Sequence, residues 1–134
     1  MSESQTPPTS FKIFHWIAVV FLFLIMAQPT FDNVRALLTG TLGSGDMSVE
    51  VTLSQMALHV VAMLFGWVGF VWFLQRQKRG AYTSIVAHLL GFTAVFTQTP
   101  ELLEMMPAAA LVVFFVLLFV FSLGPIFMFK EQYA

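Results

Sequence analysis

From residue 107 to residue 129 the chain is apolar on every side of any helix it could form. At 1.5 Å per residue, those positions cover about 35 Å, enough to cross a hydrocarbon core of about 30 Å. Three more runs, at about 11–28, 53–74 and 81–98, share this character. Nothing in lipid can hydrogen-bond an open backbone, so such runs are expected to be helices. Composition agrees: 58% of the residues are hydrophobic and only 10% charged, against about 25% charged in soluble domains. The expected fold is an all-α membrane protein, four transmembrane helices in an up-down bundle forming one unit over residues 11–134. A loose polar tail precedes it at 1–10, where Pro7-Pro8 opposes helix formation.

Between the runs, the punctuation predicts short interfacial helices. Pro29 is expected to close the first run, and Phe31, Val34, Leu37 and Leu38 then have the spacing of a short helix lying on the lipid surface. Gly40, Gly43 and Gly45 follow as a flexible turn before Asp46 and Glu50. After the third run, Thr99-Pro100-Glu101 reads as a helix start with Thr99 as cap, giving one interfacial turn over 100–106. Ile25-Met26-Ala27 resembles a signal cleavage site only weakly, and a single basic residue, Lys12, precedes it, so the first run is expected to remain a span.

Orientation follows from the cations, because Lys and Arg are retained on the cytoplasmic side. Lys12, Lys130 and the turn carrying Arg76, Lys78 and Arg79 fall together in a four-pass chain, and Arg35 alone falls opposite. Both termini are therefore expected in the cytoplasm, with the chain in a bacterial inner membrane. The formal net charge of −1 gives nucleic acid no electrostatic footing. The absence of cysteine excludes thiolate metal ligands, disulfides and thiol redox chemistry.

Helices associate in lipid through small and polar residues that admit close backbone approach. Gln55, His59, Ala62, Gly66 and Gly69 form such a stripe in the second run, and Ser84, His88, Gly91 and Gln98 form one in the third. The two stripes, joined by the cationic turn, are expected to be the packing spine. The fourth run, with Phe114, Phe115, Phe119, Phe121, Phe127 and Phe129, is expected to face lipid. Ala108 to Ala110 and Ser122-Leu123-Gly124 are its expected contact points, and Pro125 is expected to kink it. The first and third runs share a histidine near the start and a glutamine near a proline at the end (Gln28-Pro29, Gln98-Thr99-Pro100), a faint internal repeat.

Histidines inside a membrane are candidates for function. Counted from the run ends, His15 lies about 6 Å and His88 about 10 Å from the inner surface, and His59 about 9 Å from the outer one. On that count one metal cannot gather all three, but His15 and His88 are placed to ligate the two faces of a haem iron. The stretch Phe14-His15-Trp16-Ile17-Ala18 resembles the first helix of small four-helix bacterial b-type cytochromes. That resemblance implies haem b as cofactor and His15, His59 and His88 as ligand candidates. The fourth run has no histidine, so only one haem would be supported.

The plainer expectation is hydrogen bonding between helices: His59 with Gln55 or Gln98, His88 with Ser84 or Thr93, and His15 at the interface beside Trp16. Glu101 and Glu104 share one helix face, as a solvated acidic turn or a cation site. The sequence has no nucleophile–histidine–acid set, no phosphate-binding glycine loop, no HExxH and no GxxxG. The expected role is an accessory or scaffold subunit of a membrane complex, partnered by lipid and by other membrane subunits or a second copy. The alternatives are an electron-carrying b-type haem subunit and, less well supported, an oligomeric small-molecule channel or transporter component.

Overall fold

A computed structural model describes residues 6–44 and 46–134. The first five residues of the expected tail and Gly45 of the expected turn lie outside them. The chain is mostly helical, in the order α1 (Thr9–Thr39), β1 (Thr41–Ser44), β2 (Met47–Glu50), α2 (Leu53–Leu74), α3 (Lys78–Gln98), α4 (Glu101–Glu104) and α5 (Ala108–Met128), with a 3-10 turn at Lys130–Gln132. Among the described residues, α1, α2, α3 and α5 are long and apolar enough to cross a membrane.

Pro29 does not end the first helix. α1 continues through it to Thr39, so the separate interfacial helix expected after it is instead the second half of α1. Proline removes the backbone bond that would reach the Ile25 carbonyl, and the turn beside it is reinforced by side chains. Thr30 Oγ1 donates to the Met26 carbonyl at 2.6 Å, and Trp67 Nε1 of α2 donates to the same hydroxyl at 2.8 Å. α1 stops at Gly40, whose φ of 74° suits glycine in a left-handed C-cap; its N–H bonds the Ala36 carbonyl.

The glycine-rich stretch is a β-hairpin, which the all-helical expectation missed. Thr41 pairs with Glu50 and Leu42 with Val49 in the antiparallel register. Leu42 packs with Ala36 and Met56 beneath Val49, Val51 and Leu102, and Arg35 donates to the Gly43 carbonyl, so the loop is pinned to α1 and α2. α2 then begins with a capping box in which Thr52 and Gln55 satisfy each other's backbone N–H groups. At the other loop, Pro100 rather than Thr99 stands at the cap of the single-turn α4.

α2 and α3 meet along their small residues. A Cβ on Gly69 would lie 2.7 Å from Ser84 N, and one on Gly80 would lie 2.2 Å from Phe73 N, so both glycines are sites of backbone contact. Gly80 explains why α3 starts at Lys78 instead of position 81: the first turn must already be helical to bring it against Phe73. Ala62 faces Gly91 at the same crossing. α1 packs on α2 with Met26 against Gly66 and Phe23 against Trp67 and Phe70, and on α5 with Phe21 stacked on Phe121 at 4.5 Å.

α5 differs in part from its expected contact pattern. Ala108 to Ala110 are exposed, and the helix is held by Leu118, Ser122, Pro125 and Ile126, its buried residues. Phe119 and Phe127 face outward, as do Val112, Val116 and Val120, whereas Phe114, Phe115 and Phe121 are half-buried against α1 and α3. The largest group of buried apolar side chains, which includes Phe11, Leu22, Phe73, Ile85, Leu118 and Tyr133, joins the four long helices to the C-terminal residues.

Candidate functional site

The three histidines fall into two separate settings. His15 is 3% exposed, at the end of the bundle that carries the α2–α3 turn. Its ring is stacked on Phe11 at 5.3 Å and on Phe73 at 5.3 Å, and Nδ1 lies 2.7 Å from the Tyr133 hydroxyl. The surface position expected beside Trp16 is corrected: Trp16 is exposed while His15 turns inward.

What holds this end together is backbone pairing of the C-terminal residues with the cationic turn. Ala134 N donates to the Arg76 carbonyl and Lys78 N to the Ala134 carbonyl, both at 2.8 Å. Arg76, with φ of 59°, lies over the Phe11 ring at 5.0 Å, and Arg79 lies over Trp72 at 4.0 Å. Burial pushes the Tyr133 phenol well up from its ordinary range, with Arg76 pulling the other way. The cluster acts as a clasp between α1, α2 and the chain's last residues.

His59 and His88 share the second setting. Both line a cavity of about 260 Å³ with Met26, Pro29 and Asn33 of α1, Ala62 and Met63 of α2, Gly91 and Phe92 of α3, and Met106 and Phe114. Depth counting from the run ends leaves these two histidines about 11 Å apart along the membrane normal, and the helix register gives nearly the same separation; one cavity spans it, lined by both. Ala62 and Gly91 are level, because a Cβ on Gly91 would meet the Ala62 Cβ at 3.8 Å. His59 is three residues from Ala62 toward the hairpin, and His88 three residues from Gly91 toward the turn. They therefore bracket the cavity roughly 9 Å apart along the axis.

Asn33 lies at the level of His59, since Met26 meets Gly66 and both partners sit seven residues further toward the hairpin. Asn33 is 6% exposed, lines the cavity and has no side-chain hydrogen bond among the described residues. Sequence reading missed it because a helix ended at Pro29 cannot carry position 33 on the Met26 face. Continuing α1 puts both on one face at a spacing of seven.

The polar partners of these histidines differ in strength. His88 Nδ1 lies 2.7 Å from the Ser84 carbonyl, one turn back on its own helix. A carbonyl only accepts, so Nδ1 carries the proton, and in the neutral ring Nε2 carries a lone pair. That Nε2 is buried without a partner among the described residues, beside the Phe114 ring at 5.7 Å. His59 Nε2 lies 3.4 Å from Thr99 Oγ1, a long contact, and Thr99 is itself 1% exposed. Gln55 and Gln98, expected as partners of His59, bond each other instead: Gln55 Nε2 donates to the Gln98 carbonyl at 3.4 Å.

Of the remaining expected packing residues, His59, Ala62, Gly66, Gly69 and Ser84 are buried, and Gln55, His88, Gly91 and Gln98 are half-buried. Glu101 and Glu104 are exposed on α4, and no group of three His, Cys, Asp or Glu among the described residues could hold a metal ion.

The residues do not fit a haem held between His15 and His88. Axial ligation requires a ring nitrogen facing a space for the macrocycle, whereas His15 is stacked between two aromatic rings, bonded at its edge and absent from the cavity that His88 lines. At about 260 Å³ the cavity also falls below the roughly 300–1,000 Å³ of pockets for larger ligands. It exceeds the about 150 Å³ cavity that accepts benzene.

No protein-family model, curated protein or solved structure matches the chain.

Proposed function

We propose that this chain is a non-catalytic accessory subunit of a bacterial inner membrane, and that it holds a small, uncharged, membrane-soluble molecule inside its helical bundle. The observation that carries this reading is the cavity between α1, α2, α3 and α5: apolar walls with a few convergent polar groups, Asn33, His59 and His88. That combination is how small-molecule sites are built. His88 Nε2 is buried without a partner among the described residues, which costs about 1–3 kcal/mol. The cationic end, with Lys12, Arg76, Lys78, Arg79 and both termini, is assigned to the cytoplasm by the distribution of basic residues.

The accessory role rests on what the cavity walls are made of. They carry no carboxylate, lysine, arginine, hydroxyl or thiol, so the two histidines there have neither a nucleophile to activate nor a charged partner. The test is native mass spectrometry of protein released from mild detergent. The wild type should retain a small adduct of one mass per chain, and Gly91→Leu, which projects a side chain into the cavity, should lose it while remaining monodisperse. A wild-type chain that is free of adduct after gentle extraction, or an adduct retained by Gly91→Leu, would refute the cavity as the binding site. Fixed-stoichiometry partners in the same preparation support the accessory role, and a lone monomer counts against it.

A further inference from the structure

We infer that the cavity selects a single-ring molecule carrying a hydroxyl, a phenol or hydroquinone, over the corresponding quinone or ether; this deepens the ligand-holding reading above and rests on it. Three observations lead there. First, the slot has polar groups at its two ends and none between them. Asn33 and His59 stand at the hairpin end and His88 roughly 9 Å away along the axis. Between them lie Ala62, Met63, Gly91 and Phe92, whose small side chains leave the space and whose aromatic and thioether groups suit a flat ring.

Second, the polar group at the inner end has a fixed role. The Ser84 carbonyl holds the proton on His88 Nδ1, so Nε2 offers only a lone pair. A ligand reaching Nε2 must donate a hydrogen bond. A hydroxyl does so; a quinone carbonyl or an ether oxygen would set lone pair against lone pair. Third, the outer end accepts either kind of atom, because the free amide of Asn33 has both a donor and an acceptor. Discrimination therefore lies with His88 and anchoring with Asn33. In the unliganded bundle Nε2 is covered, with the Phe114 ring 5.7 Å from the imidazole, so a ring that enters must first displace its cover to reach it, and the flexible side chains of Met26, Met63 and Met106 around the slot are what can yield.

The ligand class is tested with trimethylhydroquinone, its dimethyl ether and trimethylbenzoquinone. Binding is measured by equilibrium dialysis against the full chain in detergent, under argon with ascorbate for the hydroquinone and ether and without reductant for the quinone. Detergent alone serves as blank. Wild type should bind the hydroquinone saturably, one per chain, about tenfold tighter than the ether or the quinone, the equivalent of about 1.4 kcal/mol. His88→Phe should bring the three within about twofold of one another. Asn33→Leu should weaken all three, and Gly91→Leu should abolish saturable binding while the protein remains monodisperse and helical.

Equal or tighter binding of the quinone by wild type, or a preference that survives His88→Phe, overturns the hydroxyl selection and leaves the cavity reading standing. Should wild type bind none of the three saturably, as when only bridging water satisfies Asn33 and His88, both are overturned. Undiminished binding by Gly91→Leu also overturns both. The ether and quinone comparisons in wild type decide the inference even where a His88 variant fails to fold.

Discussion

Replacing Gly80 by alanine tests the packing spine at its tightest point. The new methyl carbon would lie 2.2 Å from Phe73 N, 2.6 Å from Phe73 Cα and 2.7 Å from the Gly69 carbonyl oxygen. Non-bonded carbon contacts are optimal near 3.5–4.0 Å, so the helices must separate locally by about 1 Å. All three obstacles are main-chain atoms, and no rotamer change can relieve the overlap. Overpacking costs about 1–3 kcal/mol, and a main-chain clash belongs at the upper end. Loss of about 3 kcal/mol lowers the folded-to-unfolded ratio about a hundredfold. The assay is reversible unfolding by sodium dodecyl sulfate in mixed micelles, followed by far-ultraviolet circular dichroism and tryptophan fluorescence. Gly124→Ala and Gly91→Ala are the controls: a Cβ on the first meets nothing within 4 Å and one on the second only Ala62 Cβ at 3.8 Å. Both should match wild type or exceed it by up to about 1 kcal/mol, the helix-propensity gain. If Gly80→Ala unfolds with Gly124→Ala, the backbone contact between α2 and α3 is not what sets their packing.

Tyr133→Phe removes the hydroxyl 2.7 Å from His15 Nδ1 and leaves a buried ring nitrogen unpaired. It should destabilise the same unfolding transition by about 1–3 kcal/mol, and an unchanged midpoint would mean that the clasp adds nothing. For the membrane orientation, a Lys78→Cys variant in a chain with no other cysteine should resist an impermeant thiol reagent added to intact cells and react after lysis. Labelling in intact cells would reverse the assignment of sides. Protein purified after haem-replete expression should show no Soret band, because His15 is stacked and bonded away from the cavity; a band lost in a His15→Ala, His88→Ala double variant would restore the haem site.

The four spans were legible because uninterrupted apolar length is a strong and local signal. The α2 and α3 contact stripes carry a second local signal, small residues at helical spacing, and Ala62, Gly66, Gly69 and Ser84 are buried where that spacing puts them. Sequence reading went astray where a local signal was overridden from a distance. Pro29 reads as a terminator, yet the helix continues to Thr39, and Trp67, 37 residues from Thr30, bonds that residue's hydroxyl in the turn beside the proline. His15 reads as interfacial, and its partner Tyr133 stands 118 residues away. The glycines at 40 and 43 mark the chain reversals correctly, with φ of 74° and 93°, but the strand pairing they permit rests on Leu42 packing against Ala36 and Met56.

The candidate site was the least legible part, because it depends on relative register. Counting depth from the ends of apolar runs treats each helix alone and starts the third at position 81 instead of Lys78. Register between α2 and α3 is fixed by Gly69, Gly80 and the Ala62–Gly91 contact, and it is this register that places His59 and His88 on one cavity. Asn33 enters only once α1 is known to continue beyond Pro29. Each of these corrections moves the candidate chemistry the same way, from a pair joining His15 to His88 toward a slot between Asn33 and His88.

The protonation state of His88 decides whether the cavity selects a hydroxyl. Nitrogen-15 spectra of imidazole-labelled protein, assigned by loss of the signal in His88→Phe, report which ring nitrogen carries the proton. The ring should be neutral and protonated at Nδ1, with Nε2 as an unprotonated nitrogen whose resonance moves when trimethylhydroquinone is added and not when its dimethyl ether is. A ring protonated at Nε2, or an imidazolium, would contradict it, since His88 would then donate into the cavity and the preference for a hydroxyl would have no cause.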